Sequence, residues 1–96
     1  MLKIYDKAQW HIDAGENTEN VVKKLKIVLT FLDSKELLSD EGKEILDLGV
    51  DSSVSIHARM LNEKGNNFMS ACYDHVIDKT VEEVGDALKK EYESMQ

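Results

Sequence analysis

No proline interrupts the chain, where an average sequence of 96 residues carries about five. Proline is the strongest breaker of helices and glycine occurs only five times, so apolar residues at helical spacing can run on between the few glycines. They do. Val21, Val22, Leu25, Val28, Leu29 and Leu32 recur at intervals of three and four, with Lys23, Lys24 and Lys26 elsewhere on the wheel. Ile27 and Phe31 widen the stripe, which predicts a central helix with neighbours on more than one side. Asn17 or Thr18 supplies its N-cap. The segment "LDSKELL" either continues this helix or turns at Asp33-Ser34; both readings stand.

The next stretch occurs twice. "LLSDEGKEIL" from Leu37 to Leu46 returns twenty-three residues later as "MLNEKGNNFM" from Met60 to Met69. Ser39 and Asn62 are favoured N-caps, and Asp40, Glu41 and Glu63 then fall in the first turn, where the helix dipole favours negative charge. The repeat therefore predicts two helix starts. Gly42 and Gly65 take the third helical position, where glycine costs up to about 1 kcal/mol relative to alanine. A glycine there lets another backbone approach closely. In the rival reading each glycine is the left-handed cap that ends a preceding helix.

Gly49 is a helix terminator, and Ser52 or Ser53 caps a short helix through Ile56, Met60 and Leu61. A longer one after Asn62 carries Phe68, Met69, Cys72, Val76 and Ile77 on one face. Thr80 and Glu83 form an S/T-x-x-E capping box, followed by Val81, Val84, Leu88, Tyr92 and Met95 at alternating three and four. The start, "LKIYDKAQWHID", fits a helix through Ile4, Ala8 and Ile12 or a strand. A lone strand would have nothing to pair with, so helix is preferred. The expected fold is all-α, one domain over residues 1–96 built as a bundle of about five helices; the alternative is α+β with a short N-terminal strand.

Composition excludes some partners. Nineteen acidic against twelve basic residues give a formal charge of -7, and such a surface repels the phosphate backbone that nucleic-acid binding must neutralise. It attracts a basic partner instead. No run approaches 18 apolar residues and "MLKIYDKAQW" lacks the apolar core of an export signal, so the expectation is a cytoplasmic protein without membrane contact. One cysteine permits no intrachain disulfide and suits a reducing compartment.

Chemistry-bearing residues are few. His11, His57, Cys72 and His75, with Asp13 and Asp74 nearby in sequence, would have to converge by folding to hold zinc. Cys72 instead falls on an apolar face, where burial deadens a thiol, and His75 falls on the opposite shoulder. No nucleophile elbow, phosphate loop, Walker pattern or zinc-protease signature appears. No catalytic residue, metal or cofactor is assigned. Trp10 is the aromatic to watch at an interface, its rival role being to close one end of the core. Lys23, Lys24 and Lys26 read as a solvated face. Asp33, Glu36, Asp40, Glu41, Glu44, Asp47 and Asp51 place seven carboxylates within nineteen residues, either as a negative field for a partner or simply as caps and solubilising charge.

The order "WHID", "FLDSKELLSDEGKEIL", "SIHARMLNEKGNNFM", "YDHVID" resembles small acidic uncharacterised bacterial proteins, some encoded beside polymorphic toxins as immunity proteins. The resemblance implies a non-catalytic module that binds another protein. Together with the charge, it predicts an immunity or inhibitor subunit masking a basic surface, with Trp10, Asp40, Glu41, Glu44 and Asp47 as partner-binding residues. The alternative is a self-associating module, a homodimer paired through the C-terminal helix; a metal-dependent enzyme is a third reading.

Overall fold

The repeat folds as two helix starts set against each other. In the computed structural model, which describes residues 2–95, helix α3 (Asp40–Leu48) and helix α4 (Glu63–Val76) both begin on a side-chain cap. The Ser39 hydroxyl accepts from the Gly42 amide at 3.2 Å and the Asn62 side chain from the Gly65 amide at 2.9 Å. The residues just before them pair across an antiparallel bridge, Leu38 with Leu61. The Ser39 amide donates to the Met60 carbonyl and the Asn62 amide to the Leu37 carbonyl, at 2.9 and 3.0 Å. Each pairing repeats with the roles exchanged, so the two copies are related by a local two-fold axis through the bridge.

The glycines follow from that contact. A β-carbon on Gly42 would stand 2.1 Å from the Met60 carbonyl oxygen, and one on Gly65 would stand 2.2 Å from that of Leu37. Both positions exclude every side chain. Neither glycine has a positive φ, so neither is a left-handed cap.

Helix α2 (Thr18–Ser34) opens on Asn17, whose side chain accepts from the Asn20 amide at 3.1 Å. It turns at its end rather than running on. The Leu37 amide reaches back to the Leu32 carbonyl and the Glu36 amide to that of Asp33, a Schellman closure with Glu36 left-handed at φ 57°. Val21, Leu25, Val28, Leu29 and Leu32 face the core, and so does Lys24. Helix α5 (Val84–Ser94) packs against α2 and α4, with Phe31, Phe68 and Tyr92 forming a ring cluster at centroid distances of 5.7 to 6.1 Å where the three meet.

Among the described residues the fold is mainly helical with five α-helices, as the spacing predicts, and it carries a two-stranded antiparallel sheet. Strand β1 (Ile4–Lys7) precedes helix α1 (Ala8–Asp13), so residues 4–13 hold both of the elements that the sequence left in competition. The strand pairs with β2 (Ser55–His57), inside the segment read above as a short helix; only Ala58–Met60 forms a turn of 3-10 helix there. A bulge between Ile4 and Asp6 sets Tyr5 and Asp6 both inward. Two consecutive buried residues erase the alternation by which a strand is recognised. The Thr80 box is half formed: Glu83 accepts from both the amide and the hydroxyl of Thr80, and α5 begins a turn later.

Buried apolar residues from the other elements join one core, against which α3 packs its partly buried Ile45 and Leu46. The Cα radius of gyration is 12.3 Å, in line with about 13 Å for a compact 100-residue domain.

Candidate functional site

Docking of Gly42 decides which way α3 faces. With that glycine against Met60, the helix turns Asp40, Glu41, Glu44 and Asp47 to solvent, all four exposed. Positions 40, 44 and 47 form one stripe and 41 lies beside it. Gly49, at φ +107°, ends the helix, and Leu48 before it is 80% exposed. A cleft of about 420 Å³ opens next to it between the end of α3 and β2, walled by Ile45, Leu48, Val54 and His57. Glu41 is the one carboxylate of the four with a basic side chain within 4 Å among the described residues, the His57 imidazole at 3.7 Å. At the cleft margin Asp51 accepts from the Ser53 hydroxyl and amide at 2.6 and 2.9 Å, which holds its carboxyl below the usual range.

Trp10 lies on α1, 48% exposed. The ring does not close the core, and it stands apart from the α3 stripe on a different element. Of the five residues predicted to bind a partner, the fold gathers four.

A second cluster escaped the sequence. Asp6 is fully buried. Its Oδ1 accepts from the Lys7 amide and faces His11 Nε2, both at 2.8 Å, while Oδ2 accepts from the Tyr73 hydroxyl at 2.5 Å. The other ring nitrogen of His11, Nδ1, faces Glu16 Oε2 at 2.7 Å. Lys24, 3% exposed, donates to the Ile77 carbonyl. Burial lowers its pKa while the Asp6, Glu16 and Asp78 carboxylates oppose that shift. The phenol of Tyr73 is pushed well up by burial and then by Asp6. The chain of bonds from Glu16 through His11 and Asp6 to Tyr73 ties β1, α1 and α4 together, and the Lys24 bond to Ile77 holds α2 to the end of α4.

Lys24 is thus no part of a solvated lysine face. Its place at the third position after Val21 and the fourth before Val28 was the available signal. For Asp6 there was none, because only the bulge turns it inward.

The four candidate zinc ligands are scattered. His11 is inside the buried chain, with its two nitrogens aimed at opposite carboxylates, and His57 sits beside Glu41. Cys72 is in the core, its thiol pushed up to about 12 by burial and then by the Glu91 carboxylate. His75 is at the surface, 3.6 Å from Glu91. Among the described residues no group of three or more histidines, cysteines and carboxylates is placed to hold a metal ion. No described helix is long and apolar enough to cross a membrane.

No family model matches the chain, and neither a curated protein nor a solved structure matches it. Function has to be argued from these residues alone.

Proposed function

We propose that the chain acts by binding another protein through the outward face of α3, masking a basic surface as an immunity or inhibitor subunit does. One observation carries the reading: Asp40, Glu41, Glu44 and Asp47 are exposed together beside Leu48, the most exposed large apolar residue described. Carboxylates around an apolar contact resemble the polar rim and dry centre of a protein interface. The cleft beside Leu48 gives a partner side chain somewhere to lodge. Negative charge on that face speeds encounter with a cationic surface. Trp10, on another element, is left out of the patch. The rival reading, pairing of two copies through the C-terminal helix, draws less support, since Val84 and Leu88 of that stripe are fully buried within the chain and Met95 is its exposed member.

The test is capture of the partner from the source cells by the wild-type protein, followed by association kinetics. Reversing the patch (Asp40→Lys, Glu41→Lys, Glu44→Lys, Asp47→Lys) is expected to slow association about tenfold or more and to remove its salt sensitivity. Circular dichroism serves as the check on folding. An unchanged on-rate and affinity for a folded variant would overturn the proposal.

A further inference from the structure

A shallow trough of about 510 Å³ runs between α2 and α5, floored by Ile27, Phe31, Val81 and Gly85. Along α2 it reaches from Lys23 to Ser34, twelve residues and about 16 Å of helix. It shares no residue with the α3 patch.

Gly85 is the telling residue. Gly42 and Gly65 are demanded by backbone contact, and Gly15 and Gly49 have positive φ. Gly85 meets neither need: a β-carbon there would touch only Ile27 Cγ2, at an ordinary 3.8 Å. Alanine would fit and would favour the helix. What a longer side chain at 85 would do is fill the trough.

Charge at the trough is equally uneven. Among the described residues every ion pair involves a histidine, so Lys23 and Lys26 stand at one end without a carboxylate partner. Lys35, farther along, already has its ammonium over the Phe31 and Tyr92 rings, at 5.9 and 5.2 Å. The α5 side contributes only Val81 and Gly85. An acidic helix lying in the trough would need cations along both rims, whereas these lysines suit one anionic head at one end of an apolar body.

We propose that this trough binds a single-chain amphiphile with an anionic head, of the fatty-carboxylate class. The head pairs with the Lys23 and Lys26 ammonium groups and the chain lies over Ile27, Val81 and Phe31, passing the gap left by Gly85. Ammonium groups act here as charged donors to the carboxylate oxygens.

The test is an NMR titration of the full chain with sodium dodecanoate below its micelle concentration. Saturable shifts confined to the amides around Ile27, Phe31, Val81 and Gly85 are expected. The Lys23→Gln, Lys26→Gln pair should bind about fivefold more weakly. Gly85→Leu should abolish binding while circular dichroism shows an intact fold, and Gly85→Ala, the gentler change, should weaken binding and raise the melting temperature. The proposal is overturned by absence of saturable shifts, or by shifts indifferent to the lysine and Gly85 changes. Equal binding of dodecyltrimethylammonium at the same residues would remove the anionic head from it. Binding to phosphatidylglycerol vesicles without binding to dodecanoate would replace a free amphiphile with a membrane surface.

Discussion

Asp6 has no exposure to water, and the fold tolerates its carboxyl because the Lys7 amide and the Tyr73 hydroxyl donate to it and His11 faces it at hydrogen-bond distance. Removing one member of such a cluster leaves the others buried and unpaired. Asp6→Ala is therefore expected to cost about 3–5 kcal/mol in urea unfolding. Tyr73→Phe, which deletes one hydroxyl and no charge, should cost about 1–2 kcal/mol. Equal small losses from both would mean that the chain of bonds does not form. Cys72 gives a pH signature. Its thiol rises from an ordinary 9.0 to about 12 on folding, so between those values the folded protein keeps a proton that the unfolded chain has lost. Stability due to this group is complete below pH 9 and falls by about 1.4 kcal/mol per pH unit as pH rises toward 12. Tyr73, also raised, acts in the same direction; Lys24, lowered, acts in the opposite one. The difference between wild type and Cys72→Ala isolates the thiol, and a difference that stays flat from pH 9 to 11 would contradict its burial.

Among the elements, α2 shows how a helix stops without glycine. Glu36 is left-handed at φ 57°, which costs a side chain about 1 kcal/mol or more, partly offset in a Gly variant by the freer unfolded chain. Glu36→Gly should raise stability by about 0.5 kcal/mol in urea unfolding; a loss would show that the Schellman closure is misjudged. Helix content was legible because capping and spacing agree: Asn17, Ser39 and Asn62 stand where the caps were expected, and the core stripe of α2 holds. The sheet was not legible. The bulge turns Tyr5 and Asp6 inward together, and Ser55–His57 is three residues long with one buried side chain, too little pattern to distinguish from a helix start. In the candidate site, the α3 carboxylates could be read from sequence because exposure follows from the caps. The buried chain could not, because it joins residues up to 67 positions apart.

At the scale of the molecule, the contact between the two helix starts joins the first half of the chain to the second and sets α3 with its carboxylates outward. The proposed binding face depends on that junction more than on any one acidic residue. Alanine decides the matter by sign. At an ordinary helix position Gly→Ala gains about 0.5–1 kcal/mol, but at Gly42 and Gly65 the new methyl would meet a carbonyl oxygen of the other half. The most direct measurement is urea unfolding of Gly42→Ala, Gly65→Ala and the double variant. Each single change is expected to destabilise by about 2–3 kcal/mol, and the double by less than the sum, since both open the same interface. Single variants as stable as the wild type, or more so, would contradict the docked pair.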